Sequence, residues 1–350
     1  MSIMRKVCLI GCGRIANKRH APLLGNGEIA GAYLGAVCDI DIDKAKLLAH
    51  KYSVPWYAGF YSMIRIEQPD IVAILTPSGM HAQHIKELIP YGKPIIVEKP
   101  LSLTLSDAEE VTRLARKTGV RLFTVLQNRF NPPIVHLKRA VDEGKLGDIR
   151  LANITVRWSR QPEYYEDWHG TWEMAGGVLA NQAIHHIDLL TWLLGMPEFV
   201  SAISSKTNSE NVEDSLVGMM EYSNGALVSL ELSTAIRPKD LEGSITLMGT
   251  KGTVKVGGFA ANKMEIWDLE DRADVVLSSE NPPDVYGFGH KKFYEHVIHC
   301  LNTREETFID GVPSIRLVTG LYQSVERFEH TCLDDVFSYR MGDSWYDRTG

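Results

Sequence analysis

The chain has 350 residues, 44% of them hydrophobic and 23% charged, and its 37 basic against 44 acidic side chains leave a formal charge of −7. That is too apolar for a disordered chain and longer than one core usually supports, so about two domains are expected. The acidic balance gives no global basic footprint for nucleic acid, and no run approaches the roughly 18 apolar residues of a membrane span. The N-terminal segment meets Gly11 too early to hold the apolar core and cleavage site of a secretory signal. A cytoplasmic globular protein is the expectation, with no nucleic-acid and no membrane partner. The five cysteines (Cys8, Cys12, Cys38, Cys300, Cys332) are odd in number and form no CxxC pair, which favours reduced buried thiols over disulfides or structural zinc.

In chain order, residues 6–10 read as a short strand, followed by a glycine turn and a helical stretch. Residues 36–39 form a second strand ending in an acid, and residues 43–52 a helix. Residues 70–75 (DIVAIL) are a continuous apolar run of the kind buried on both faces, stopped by Thr76-Pro77. A helix over residues 80–91, a strand over 94–97, a helix over 107–117 and a strand over 121–126 complete a β-α series. Such a series predicts a parallel, doubly wound sheet. After Asn128 the pattern changes. Residues 149–158 alternate, residues 216–222 and 226–232 flank the hairpin signal Ser223-Asn224-Gly225, and residues 244–248 and 253–256 flank a turn containing Gly252. The later part is therefore expected to be α+β, on a large, mainly antiparallel sheet. The boundary is placed near residue 127, giving domains 1–127 and 128–350 that pack closely, since no Ser/Gly linker separates them. From Cys332 to Gly350 the chain reads as a polar tail.

Gly11-Cys12-Gly13-Arg14-Ile15-Ala16 fits GxGxxA directly after the first strand. The first glycine permits the turn, the second lets backbone approach a pyrophosphate, and Ala16 allows close helix–strand packing. Asp39, closing the second strand with Asp41 and Asp43 after it and no arginine beside it, suits the ribose hydroxyls of NAD and would repel the 2′-phosphate of NADP. A ligand-free glycine turn and a solvated Asp39 are the plainer alternatives. Thr76-Pro77-Ser78-Gly79-Met80-His81 stands where open α/β sheets bind ligands, and His81 either faces that crevice or caps the next helix. Glu98-Lys99-Pro100 ends the following strand. Desolvation and a cationic cofactor would lower the pKa of a lysine placed there and favour the neutral amine that takes a proton from an alcohol; the alternative is a surface ion pair with Glu98.

Gly176-Gly177 introduces an amphipathic helix over residues 178–194, on which Asn181, His185 and Asp188 recur at i, i+4 and i+7 as one polar stripe. The stripe reads as a ligand-facing ridge or as structural polar packing. Without HExxH or a carboxylate partner set, no metal is expected there. Residues 158–172 are rich in aromatics. Tyr164, Tyr165 and Trp172 suit a sugar or a base, and Arg160 a carboxylate or phosphate, or the whole stretch packs a crossover loop.

GCGRIA, Asp39, TPSGMH, VEKP and the GGxxxNQxxHxxDLLxWLxG segment resemble the Gfo/Idh/MocA oxidoreductases over nearly the whole chain. More narrowly, QNRFNP, QPEYYEDWHGTWE, PKDLEGSITLMGTKGTVKVGG and VYGFGH are similar to the branch of UDP-N-acetylglucosaminuronate 3-dehydrogenases. The resemblance implies a Rossmann dinucleotide-binding domain joined to an open-faced α+β substrate domain. It also implies NAD as cofactor and oxidation of the C3′ hydroxyl of a UDP-sugar hexuronate for lipopolysaccharide O-antigen sugars. It places Arg14, Ile15, Thr76, Pro77, His81, Glu98, Lys99 and Gln127 at the cofactor beside Gly11, Gly13 and Asp39. Lys99 and His185 fall on the residues at the reacting hydroxyl, and Lys99-Pro100 on a cis peptide. The inositol-dehydrogenase branch carries Asp where this chain has Asn181. An amide cannot stabilise an imidazolium as a carboxylate does, so Lys99 is assigned as base, with His185 orienting or sharing the proton. Arg160, Tyr164, Tyr165, Trp172 and Asn181 are assigned to substrate, with Gln161 separating Arg160 from Pro162 where the branch has Arg-Pro. Relatives pair through the open sheet face, so a homotetramer or dimer is expected. An inositol or other sugar dehydrogenase or ketoreductase, and a non-catalytic NAD-binding regulator, are the competing readings.

Overall fold

Apolar, β-branched runs in the first third pair into one parallel sheet in the computed structural model, which describes residues 4–270, 282, 284–303, 309, 311–327, 329 and 331–335. Its strands are β1 (Arg5–Ile10), β2 (Ala32–Cys38), β3 (Trp56–Tyr57), β4 (Ile71–Ile74), β5 (Ile95–Val97) and β6 (Leu122–Thr124), in the order β3-β2-β1-β4-β5-β6. That 3-2-1-4-5-6 order is the Rossmann arrangement, with a topological switch beside β1. The β4 and β5 residues are all buried, as strands covered by helices on both faces must be. The two-residue β3 and the helix Phe60–Glu67 lacked a sequence signal, because neither spans enough residues to show a period. The stretch after Gly13 is helical from Arg14 to Gly25, with a wide π segment at Ala16–His20 that turns His20 into the interior.

This unit comprises Met1–Ser102, Asp107–Val125 and His290–Asp310, and the second comprises Leu103–Ser106, Leu126–Gly289 and Gly311–Gly350. The helix Gly289–Thr303 thus returns to the first unit, where Arg121 donates to the Cys300 carbonyl at 2.6 Å.

In the second unit β7 (Ile149–Arg157), β8 (Phe199–Ser205), β9 (Ser215–Glu221), β10 (Leu227–Ser233), β11 (Glu242–Gly249), β12 (Thr253–Gly257), β13 (Lys263–Asp268) and β14 (Thr331–Cys332) form an eight-stranded sheet ordered β13-β12-β11-β7-β10-β9-β8-β14. Every ladder is antiparallel except β7 with β10. β9 and β10 alternate buried and exposed residues, so one face carries the core while Val217, Met219 and Leu227 stand exposed on the other. Of the polar tail expected from Cys332 on, residues 336–350 lie outside the described residues.

The single amphipathic helix expected over residues 178–194 is corrected to two, Val178–Asn181 and Ile184–Leu194, broken at Gln182-Ala183. The longer one is buried nearly all round, His185, His186 and Asp188 included, so it does not present the exposed polar face of an ordinary amphipathic helix. Glu213 explains the glycine pair that precedes them. Its backbone carbonyl accepts from Val178 N–H at 2.9 Å and its Oε1 from Leu179 N–H at 3.1 Å. A Cβ on Gly177 would lie 1.6 Å from Glu213 Oε2, a space only glycine leaves open. Tyr322 of the helix Val312–Arg327 donates to Oε1 at 2.6 Å.

Burial outweighs these donors and pushes the Glu213 carboxyl up to about 7 from 4.5. The folded chain then holds a proton that the unfolded chain has lost between those two values, so this group costs stability as pH rises through that window. The full cost above it is roughly 3 kcal/mol. Glu213→Gln is expected to raise the urea midpoint at pH 8 and to flatten its decline between pH 5 and 8; equal pH slopes for both proteins would refute the assignment.

Candidate functional site

The glycine loop leaves β1 with Gly11 at φ +102°, its N–H donating to the Cys38 carbonyl at 2.8 Å. A Cβ there would stand 2.6 Å from the Leu75 carbonyl oxygen, so conformation and space both demand glycine. Gly13 differs: it is exposed, and a Cβ on it would meet no atom within 4 Å. The backbone in front of the helix starting at Arg14 is therefore open to a ligand, as a pyrophosphate requires. Asp39 follows β2 and works on this loop directly. One oxygen accepts from Cys12 N–H at 2.7 Å and the other from Asp41 N–H at 2.8 Å. The open backbone, the helix start and an acid at the end of β2 fit a dinucleotide.

The carboxyl ends of β4 and β5 bring two further predicted segments onto one loop system. His81 is buried, with Nδ1 2.7 Å from the Pro100 carbonyl and Nε2 2.9 Å from the Thr76 carbonyl. Burial lowers its pKa against the pull of the two carbonyls. Its ring stands between the Thr76 turn and the residue after Lys99, and the single N–H of a neutral ring donates to one of the two carbonyls at a time. The Lys99-Pro100 peptide is cis. Glu98 is 6% exposed: Oε1 lies 2.9 Å from His20 Nε2 and 3.9 Å from His290 Nε2, and Oε2 accepts from Lys99 N–H at 3.1 Å. Burial would raise its pKa, but the two imidazoles overcome that and hold it well below the usual carboxylate range. An ionised carboxylate only accepts, so His20 Nε2 carries the hydrogen. Nδ1 of that ring then accepts from the Tyr294 hydroxyl, 2.7 Å away.

His20, Glu98 and His290 are also the one trio of metal-type ligand atoms lying within 4.8 Å of one another among the described residues. The 2.9 Å separation of His20 from Glu98 is that of a direct hydrogen bond. Residues 20, 98 and 290 are too far apart in sequence for spacing to reveal their meeting; VEKP marks Glu98 and VYGFGH ends at His290, and nothing marks His20.

In the second unit, Gln127 and His185 meet, with side-chain nitrogens 3.3 Å apart and both residues buried. Asp188, the third member of the expected stripe, is instead bound by Arg129 through bonds of 2.7 and 2.6 Å and by Ser314 at 2.9 Å. Asn181 is 8% exposed. Of the aromatic stretch, Tyr164 accepts from Gln182 at 3.2 Å, Tyr165 pairs with Thr234 at 2.6 Å, and Trp172 is buried with its Nε1–H on the Asn211 carbonyl. Arg160 lies over the Trp158 and Tyr164 rings and bonds Asp240 at 2.9 Å, a partner that the sequence reading did not foresee.

Residues 5–126 match the family model described as an oxidoreductase family, NAD-binding Rossmann fold, and residues 134–255 match the GFO/IDH/MocA C-terminal domain. Two solved structures are similar over their whole length. The WlbA dehydrogenase from Bordetella pertussis, in complex with NADH and UDP-GlcNAcA, is 30% identical with a TM-score of 0.83, covering 94% of this chain and 98% of that one. The WlbA dehydrogenase from Chromobacterium violaceum, with the same two molecules, is 34% identical with a TM-score of 0.84, covering 95% and 96%. The D-glucoside 3-dehydrogenase of Escherichia coli is 27% identical over 67% of this chain and 72% of its own length. Among the described residues no helix is long and apolar enough to cross a membrane.

Asp39 braces Cys12 N–H with a charge-assisted bond, so its loss is expected to loosen the loop and, on the expected ribose role, to remove an acceptor as well. Asp39→Ala is expected to weaken NAD binding by about tenfold or more and to narrow the preference over NADP, read by calorimetric titration of both nucleotides. Wild-type affinity for both would sink this role.

Proposed function

The chain belongs to the Gfo/Idh/MocA oxidoreductases, and from that premise we propose that it oxidises the C3′ hydroxyl of UDP-N-acetyl-D-glucosaminuronic acid to the 3-keto sugar, as used for O-antigen uronic acids. The observation that carries the substrate is the likeness, at 30% and 34% identity over nearly the whole chain, to two dehydrogenases whose complexes hold NADH and UDP-GlcNAcA. The glucoside 3-dehydrogenase match supports oxidation at the same carbon and keeps one alternative open, a glucoside without the nucleotide.

When bound, NAD supplies the two-electron acceptor. Gly11, Gly13 and the helix start at Arg14 and Ile15 would hold its pyrophosphate, and Asp39 its ribose; Thr76, Pro77 and Gln127 are assigned to the same cofactor. Lys99 is assigned as base: its neutral amine takes the proton from the 3′ oxygen, the C3′–H bond breaks with its electron pair leaving for the acceptor, and the C3′ carbonyl forms. His185 orients the hydroxyl or shares that proton, its ring fixed by Gln127. Tyr164, Tyr165, Trp172 and Asn181 are assigned to the sugar and base. Arg160 is assigned to an anionic group of the substrate, which must compete with Asp240 for the guanidinium.

NAD reduction with UDP-N-acetylglucosaminuronate, UDP-N-acetylglucosamine, free glucosides and inositol tests the reading. The uronate is expected to give the highest kcat/KM, and Lys99→Ala to lower kcat by about 10² or more. Faster turnover of a free glucoside or of inositol would overturn the substrate assignment, and NAD binding without turnover of any sugar would favour a regulator.

The exposed apolar residues of β9 and β10 suit a second copy of the chain as cover. Val217→Lys combined with Met219→Lys is expected to reduce the mass measured by light scattering, and an unchanged mass would exclude that face.

A further inference from the structure

Two buried imidazoles and a tyrosine that the proposed reaction leaves without a role are spent on one carboxylate. His20 is 0%, Tyr294 0% and His290 2% exposed, and they come from the helix after the glycine loop and from the helix Gly289–Thr303. His20 reaches Glu98 directly at 2.9 Å, His290 stands 3.9 Å from the same oxygen, Tyr294 acts through His20, and the second oxygen of Glu98 accepts the Lys99 backbone N–H. On the other side of the same dipeptide His81 holds the Pro100 carbonyl. The lysine is thus fixed by its main chain from both flanks. An anion in a dry interior keeps its charge only while donors surround it.

We propose that His20 and His290 are positioning residues that act through Glu98: together with Tyr294 they keep the Glu98 carboxylate in place on the Lys99 amide, and so hold the base in its reactive orientation. This rests on Lys99 being the base. A side chain whose backbone has lost one of two anchors samples orientations in which its amine misses the hydroxyl, and misplacement by an ångström is enough to slow a proton transfer sharply. Most contacts assigned to cofactor and sugar lie on other residues, the glycine loop, Asp39 and the aromatic stretch among them, so binding depends on that orientation far less than proton transfer does. The clamp therefore predicts loss in kcat rather than in affinity, whereas a merely structural role lowers stability and affinity together.

The test uses the full-length protein, NAD and the sugar that turns over fastest. His20→Leu and Glu98→Gln are expected to lower kcat by about 10- to 100-fold. His20→Gln, whose Nε2–H can replace the ring donor, should recover most of the His20→Leu loss. In the His20 variants, KM for sugar and Kd for NAD should stay within about threefold of wild type, and the deuterium isotope effect on kcat from C3-deuterated sugar should rise toward its intrinsic value as chemistry becomes limiting. Should the larger changes prevent folding, Tyr294→Phe removes only the hydroxyl on His20 and is expected to give a smaller fall in kcat, again at constant KM. Wild-type kcat in folded His20 and Glu98 variants, or a fall matched by equal losses in sugar and NAD affinity, overturns the clamp. Lys99→Ala separates the two levels. If it keeps activity, the base assignment fails and the clamp with it; if it is inactive while the clamp variants turn over normally, the clamp alone fails.

Discussion

A carboxylate withdrawn from water must be supplied with donors or give up its charge, and this chain contains both outcomes. Glu98 and Glu213 are each almost wholly enclosed. Glu98 faces two imidazoles and a backbone N–H and is held well below the usual range; Glu213 faces a tyrosine hydroxyl and a backbone N–H, with Asp214 beside it, and is pushed up to about 7. Burial is common to the two, so the partners decide. The ionised one sits beside Lys99, where a fixed anion can anchor an amide through a strong, directional bond. The protonatable one sits at a helix junction, where packing against Gly177 matters more than charge.

The same logic governs the glycine loop. Asp39, the proposed ribose acceptor, already accepts from backbone N–H groups with both its oxygens. Each oxygen has a second lone-pair direction, so bracing the loop and meeting a ribose are compatible. On the proposed cofactor site the acid would serve twice: it braces the loop that leaves Gly13 open, and it would offer the ribose an acceptor.

Local patterns were legible where local physics decides. Continuous apolar runs gave β4 and β5, alternation gave β7, and Ser223-Asn224-Gly225 gave the β9–β10 hairpin, with Gly225 at φ +82°. The helix over residues 178–194 was misread because its polar residues imitate an exposed face. Their partners, Arg129 and Ser314 for Asp188 and Gln127 for His185, lie some 60 to 126 positions away in sequence, where no period reaches. The His20–Glu98–His290 arrangement was hidden for the same reason. VEKP marked the lysine as chemically important, but nothing adjacent in the sequence marks what holds it.

Arg160 shows how far geometry sharpens a role assigned by residue type. An arginine in an aromatic stretch reads as an anion receptor, and in the folded chain its guanidinium is already stacked on Trp158 and Tyr164 and bonded to Asp240. With Asp240 about a third exposed, the pair is only partly desolvated, so breaking it costs little compared with burying either charge alone. On the proposed role, an incoming carboxylate or phosphate would exchange one oxygen partner for another on a side chain whose position the two rings already restrict. If Arg160 receives the substrate as proposed, the aspartate would discriminate: a neutral sugar has no charge with which to displace it, whereas an anionic one offers the guanidinium a replacement for the bond it gives up. For an acidic chain whose proposed substrate is itself an anion, selectivity of that kind would depend on where individual cations stand and what already holds them, and not on net charge.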